Sequence, residues 1–496
     1  MPYLLALDQG TTSTRSIVFD GDGVRLSQSQ IALEQIFPQP GWVEHDATLI
    51  WRNQLETART AIAEAGIRPE DLTAIGVTNQ RETVVVWDRA TGIPIHHAIV
   101  WQDRRTSGAC RALVAAGHDE FVRARTGLSI DPYFSATKIA WLLDNVPGAR
   151  VAAAEGSLAC GTIDSWLVYN LTGGRVHVTD ATNASRTLLL DITTGEWDDE
   201  LCRLFAVEMA LLPKVVRSAE VVGETDKALL GAAIPIAGIC GDQQAALVGN
   251  GGFSAGDAKA TFGTGVFALM HTGTTRVASR SLATTLAART GDAIEYALEG
   301  SIFMGGAVVQ WLVEGLELAE SPAAMQTLAE SVPDSGGVVF VPALTGLGAP
   351  EWDPYARGSI FGLTRGANRA HLARAGMESI PLQVMDLVGA MVADSGHAMP
   401  ALRVDGGVTV NELVMQTLAD LLNVPVNRAL VAESTALGAA YLAGLATGVW
   451  TQPSDLPAMT GVSRTFKPSP GVEERFADLK VRWAEAVKRS MKWERE

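Results

Sequence analysis

Residues 4–20 read LLALDQGTTSTRSIVFD, a pattern of strand, polar bend and strand. Leu4 to Leu7 form an apolar run that suits a buried strand, Asp8 to Thr14 a polar turn, and Ser16 to Asp20 a second strand. The bend gathers a carboxylate, a glycine, the hydroxyls of Thr11, Thr12, Ser13 and Thr14, and the guanidinium of Arg15. Glycine lets backbone N–H groups approach a phosphate, hydroxyls add neutral donors, and a strand-end aspartate can hold magnesium through water. Such a loop suits a triphosphate. An ordinary polar hairpin would carry the same residues, so the rest of the chain has to decide.

Further along, the chain begins again. Lys259 to Leu269 (KATFGTGVFAL) repeats strand, Gly/Thr turn and strand, which predicts a duplicated domain pair closing around one ligand. We place the boundary near residue 250, in the Gly-rich stretch GNGGFSAGD, giving a first lobe over 1–250 and a second over 251–496. In the first lobe, residues 46–66 read as a helix with Asp46 as N-cap and Gly66 past its end. Leu72 to Thr78 and Val84 to Trp87 read as strands separated by the polar run Asn79-Gln80-Arg81-Glu82. Ile234 to Ile239 is a strand ending in Gly241-Asp242-Gln243-Gln244. Polar residues at strand ends are where α/β sheets place ligands. In the second lobe, Gly305-Gly306 precede a helix containing Gln310, and LRVDGG (402–407) is a strand ending in two glycines. Both turns let backbone lie against a base or a phosphate. Gly376 and Pro381 fall in a helical stretch that Pro381 is expected to destabilise or kink. Ala436 to Trp450 reads as a buried helix, and Glu473 to Glu496 as a charged terminal one.

Composition narrows the class. A length of 496 residues exceeds what one core usually serves. A net charge of −16 argues against general nucleic-acid binding and against anionic membrane surfaces. Cys110, Cys160, Cys202 and Cys240 lie far apart with no C-x-x-C pair, as buried thiols of a reducing cytoplasm would. Neither a secretory leader nor a membrane-spanning segment is expected. P-loop, dinucleotide and H-E-x-x-H motifs are missing, so those classes fall away.

Taken together, DQGTTSTR (8–15), TNQRE (78–82), VWQDRRT (100–106), TGLSIDPYFSATK (126–138), TDATNASRT (179–187), GDQQAAL (241–247), FGTG (262–265), LEGSIFMGGA (298–307), LRVDGG (402–407) and STALGAAYLAG (434–444) resemble the FGGY family of carbohydrate kinases, and within it the members that phosphorylate glycerol. The resemblance implies an α/β fold of two ribonuclease-H-like, actin-like lobes with the active site in the cleft. It implies ATP-dependent phosphorylation of glycerol to sn-glycerol 3-phosphate, Mg²⁺ on the ATP phosphates, a cytoplasmic enzyme and a homo-oligomer, dimer or tetramer. Carried over position by position, glycerol falls to Arg81, Glu82, Tyr133, Asp242 and Gln243, walled by Trp101 and Phe267. The nucleotide falls to Thr11, Thr12, Ser13 and Arg15 on one side and to Thr264, Gly306, Gln310, Gly407 and Asn411 on the other, with Asp8 as the magnesium partner.

The chemistry of the side chains agrees with these assignments. A triol needs several convergent polar partners and a small aromatic wall. An alcohol is a weak acid, so a carboxylate must take its proton, and Asp242 at a strand end is the choice. Read alone, Asp242 is equally a helix N-cap, Arg81-Glu82 a solvated ion pair, and Tyr133 and Trp101 core packing. The stretch 226–233 (DKALLGAA) holds no arginine, so the fructose 1,6-bisphosphate inhibition of some bacterial family members is not expected. Two rivals stay open: a sibling kinase acting on a pentulose, gluconate or another polyol, and an actin-like or chaperone-like ATPase.

Overall fold

The computed structural model describes residues 2–430, 433–457 and 461–494. The opening hairpin is β1 (Tyr3–Gln9) and β2 (Ser13–Asp20), joined by a turn shorter than the sequence suggests. Gln9 pairs with Thr14 and Asp8 with Arg15, so both ends of the expected turn belong to the ladder. Only Gly10 to Thr12 bend. Thr14 is buried and gives its hydroxyl to Gln9 Oε1 at 2.7 Å, which withdraws it from the loop's donors.

Beside this hairpin lies β3 (Arg25–Ala32), antiparallel to β2. On the other side β1 runs parallel to β4 (Leu72–Asn79), and β4 parallel to β5 (Pro235–Gly241). Strands covered on both faces read as unbroken apolar runs, which is why Leu4 to Leu7 are all buried. One cover is α1 (Ala47–Glu64), where Asp46 accepts from the Thr48 and Leu49 amides and Gly66 takes a left-handed φ of 69° beyond the end. Between β4 and β5 a four-stranded sheet containing Val84–Asp88 and Leu158–Thr162 carries its own core, with Val86, Ile99 and Leu142. At the end of β5 the chain turns directly into α2 (Asp242–Gly249).

The second sheet repeats the first. An antiparallel meander of β6 (Ala258–Phe262), β7 (Val266–Gly273) and β8 (Tyr296–Ile302) is followed by β9 (Leu402–Asp405), parallel to β6, and β10 (Val426–Ala429), parallel to β9. In both sheets the order is third, second, first, fourth, fifth. The duplicated hairpin read from the sequence is therefore a duplicated sheet.

Helix α3 (Arg369–Ser395) runs unbroken through Pro381. Proline forfeits one backbone hydrogen bond, yet residues 373–384 are buried and Gly376 lets Leu312 lie against the helix, so core packing holds it together. Helix α4 (Ser434–Ala446) belongs by sequence to the second half but lies on the first sheet. A Cβ on Gly76 would sit 2.2 Å, and one on Gly238 2.6 Å, from the Ala439 carbonyl oxygen. It also packs on α2 at closest approach: a Cβ on Gly438 would be 1.9 Å from Ala245 O, and one on Gly249 1.9 Å from Ser434 O. The two halves are thus interlocked by glycines. The last helix, α5 (Val472–Ser490), buries Phe476, Trp483 and Val487; the final two residues of its expected span, 495 and 496, lie outside the described residues. All four cysteines are unpaired and buried. Among the described residues, no helix is long and apolar enough to cross a membrane.

Gly438→Ala tests the interlock. Alanine gains about 1 kcal/mol of helix propensity, but its methyl meets backbone that cannot swing aside, costing about 3 kcal/mol. A lower urea midpoint is expected; a raised midpoint would show that α2 and α4 do not touch.

Candidate active site at the seam between the sheets

After β4 the backbone turns sharply. Glu82 sits at φ 61°, a left-handed conformation that a glutamate adopts only when its surroundings impose it, and Thr83 N donates to Arg81 O at 2.7 Å. This kink holds two long charged side chains, each 2% exposed, so they do not form a solvated pair. Their mutual contact is loose, 3.9 Å between Arg81 Nε and Glu82 Oε1. The strong partners come from elsewhere. Arg81 is bidentate to Glu299 on β8, with Nη1 2.5 Å from Oε2 and Nη2 3.0 Å from Oε1. Arg186 takes Glu82 at 2.6 Å through Nε and Glu299 at 2.9 Å through Nη2. Two arginines and two glutamates therefore balance at the seam, and Glu299 is the member from the second sheet.

Asp242 opens α2 at the end of β5, one-third exposed, with Oδ1 3.1 Å from Arg81 Nε and accepting from Gln243 N at 2.7 Å. The protein packed around its carboxylate raises its pKa above the ordinary aspartate range, against the pull of Arg81 and Lys259. Burial also works to raise Glu299, but Arg186 and Arg81 outweigh it and bring the pKa down to about 2. The two carboxylates are thereby separated in role: Glu299 is a fixed anion, whereas Asp242 is the more basic and more accessible one.

Two of the three aromatic residues expected at the site lie against one another. Trp101 and Tyr133 pack edge to face with centroids 5.6 Å apart, and Trp101 Nε1 donates to Thr11 Oγ1 at 2.9 Å. That bond ties the aromatic wall to the opening hairpin. Lys138, fully buried, donates to the carbonyls of Pro132 and Tyr133 and pins the Tyr133 loop. Phe267 on β7 faces Thr261 and Ser301 in the ladder and is half-buried.

On the hairpin itself, Thr12 is exposed, Thr11 and Ser13 are half-buried, and Arg15 Nη2 reaches Asp8 Oδ2 at 3.0 Å. Burial raises the Asp8 pKa despite Arg15. No group of three or more His, Cys, Asp or Glu side chains among the described residues is arranged to hold a metal ion. Magnesium keeps most of its waters and needs only one or two carboxylates when phosphates supply the rest, so Asp8 alone fits that donor set.

The second hairpin is stitched to the Gly305-Gly306 turn: Gly305 N donates to Thr264 O at 2.8 Å and Gly306 N to Gly263 O at 2.8 Å. A Cβ on Gly306 would meet Gly263 O and Val408, whereas one on Gly407 would meet nothing within 4 Å, so space is open there. Thr264, Gly306 and Gly407 are thus neighbours. Gln310 is exposed and donates to Glu314, and Asn411 is the N-cap of Glu412–Leu422, its Oδ1 accepting from Val414 N at 3.0 Å. Among the described residues, neither of these two is linked by a side-chain hydrogen bond to the other glycine turns.

Two family models match most of the chain. The model for the FGGY family of carbohydrate kinases, N-terminal domain, matches residues 3–249, and that for its C-terminal domain matches residues 258–447. The chain belongs to the FGGY family of carbohydrate kinases. It is 57% identical over 498 residues to a protein of Leptothrix cholodnii described as glycerol kinase, covering 99% of this chain and 100% of that one. A protein of Acidovorax sp. with the same description is 56% identical over 492 residues, covering 98% of this chain and 99% of that one. Among solved structures, Plasmodium falciparum glycerol kinase with ADP superposes with a TM-score of 0.94 at 36% identity, covering 99% of this chain and 98% of that one. The expected two-lobed α/β family fold stands.

Four residues bonded to Arg81, Glu82 or Gln243 at this seam escaped the sequence reading: Arg186, Gln244, Lys259 and Glu299. For Lys259 and Glu299 the signal was a lone charge inside a strand, since a buried charge must be paired; Arg186 and Gln244 lie in polar runs and gave none, and the partners lie up to 218 positions apart. Glu299→Ala strands Arg81 and Arg186 without their shared carboxylate and is expected to cost about 3 kcal/mol or more, read by urea unfolding. Glu299→Gln, which retains an acceptor, is expected to cost less.

Proposed function

We propose that this chain transfers the terminal phosphoryl group of ATP to glycerol, giving sn-glycerol 3-phosphate. Full-length relatives at 56% and 57% identity described as glycerol kinase support the substrate, and a 36%-identical glycerol kinase solved with ADP supports the nucleotide. The observation that carries the chemistry is the Asp242 carboxylate, one-third exposed beside Arg81 and held above the usual aspartate pKa.

Arg81 supplies donors to the triol, and Trp101 and Tyr133 wall its carbon chain. Asp242 takes the hydroxyl proton as the oxygen attacks phosphorus, which is where a raised pKa helps, because a stronger base accepts the proton more readily. Phosphoryl transfer asks for positioning and charge stabilisation more than for covalent chemistry. Thr11, Thr12, Ser13 and Arg15 cradle the phosphates from the first lobe (1–250), and Thr264, Gly306, Gln310, Gly407 and Asn411 meet the nucleotide from the second (251–496). When bound, Mg²⁺ would neutralise phosphate charge, with Asp8 holding it through water. Four buried, unpaired cysteines support a cytoplasmic setting. A homo-oligomer is proposed from the family resemblance alone.

ADP release, followed by a coupled assay, is expected to depend strictly on glycerol; release without any acceptor would favour the ATPase, and release with a pentulose or gluconate instead would favour a sibling kinase. Asp242→Asn is expected to lower kcat about 100-fold or more while glycerol still binds; near-normal turnover would remove Asp242 from the role. Because the base must be ionised and its pKa is raised, activity is present above that pKa and lost as pH falls through it. The acidic limb of kcat/KM is therefore expected above the ordinary aspartate value of about 3.9, and absent from the residual activity of Asp242→Asn.

A further inference from the structure

Lys259 is a fully buried ammonium in the middle of the second sheet, on β6 between β7 and β9. Its Nζ donates across the seam to Gln243 Oε1 at 2.6 Å and along its own strand to Thr261 Oγ1 at 3.0 Å. An ammonium carries donors and no acceptor, so the Gln243 atom that faces it must be the carbonyl oxygen. That contact fixes which way the carboxamide points. The other end, Nε2, makes no hydrogen bond among the described residues, although Gln243 is only half-buried beside Asp242. We propose that Lys259 is a positioning residue of the second lobe, which locks the Gln243 carboxamide so that its NH₂ group donates to a hydroxyl oxygen of the alcohol substrate.

Physical chemistry supports the lock in two ways. An unpaired amide rotor would present oxygen or nitrogen with similar ease, and a hydroxyl can satisfy either, so without Lys259 the site would not choose. A charged donor makes the choice strongly, because hydrogen bonds with one ionised partner are shorter and stronger than neutral ones. Burial pulls the Lys259 pKa down to about 8, with Asp405, Asp242 and Glu299 pulling the other way, so the ammonium stays charged at neutral pH. The second lobe thereby shapes a substrate contact made by the first.

The inference rests on the proposed glycerol kinase activity, and steady-state kinetics with glycerol and ATP separate the two. Lys259→Met is expected to raise the glycerol KM about 10- to 100-fold, to leave the ATP KM within about 2-fold, and to leave the urea midpoint no lower, since it removes a buried charge. Gln243→Glu keeps an oxygen for Lys259 but has no donor for the substrate; its glycerol KM is expected to rise by a similar factor with unfolding unchanged, and it carries the test should Lys259→Met fail to fold. Because Lys259 acts through Gln243, the double variant Lys259→Met, Gln243→Ala is expected to match Gln243→Ala alone. A wild-type glycerol KM in Lys259→Met or in Gln243→Glu, or additive losses in the double variant, would overturn the proposal while leaving the kinase reading intact. A wild-type chain that releases no ADP with glycerol would overturn both.

Discussion

The bidentate grip of Glu299 on Arg81, with Arg186 sharing its Oε1, is the interaction on which the seam depends. Removing charges from water costs several kcal/mol each, and attraction repays this only when geometry is good and the remaining donors are satisfied. Here the charges are matched by four groups from three separate stretches of the chain, while Arg81 Nε and Arg186 Nη1 are buried with no hydrogen-bond partner among the described residues. The consequence is a rigid polar floor. On that floor the more accessible carboxylate, Asp242, is free to change protonation, while Glu299 stays ionised.

Duplication explains how the floor is assembled. Each half of the chain folds into the same strand order, so each carries a hairpin turn beside a parallel fourth strand. Equivalent positions have diverged in chemistry. Asp8 and Arg15 face one another across the first hairpin, and the corresponding ladder pair in the second is Thr261 and Phe267. One pair is an ion pair, and its counterpart sets a hydroxyl opposite an aromatic ring. The glycine contacts between α2 and α4 then hold the halves at a distance where a single extra methyl would not fit.

Much of this was legible in the chain itself. The apolar run Leu4 to Leu7 and the helix bounded by Asp46 and Gly66 carry local signals of period and capping, and both elements form close to where those signals put them. The repeat at residue 259 was legible for the same reason. Local signals failed where long-range packing overrode them: the bend is shorter than its polar residues suggest because Thr14 finds Gln9 across the ladder, and α3 passes through Pro381 because its surroundings are core.

By itself the sequence determined the class of the protein, its doubled plan, and the residues with chemistry to offer, such as Arg81, Tyr133 and Asp242, because strand periodicity, turn composition and side-chain type are properties of neighbouring positions. Only the tertiary structure decided what those residues are paired with. Arg186 reaches the seam from a distant stretch of the first half and Lys259 and Glu299 from the second sheet, and whether a buried charge is a partner, a clamp or a base depends on which other charges the folded chain brings within a few ångströms.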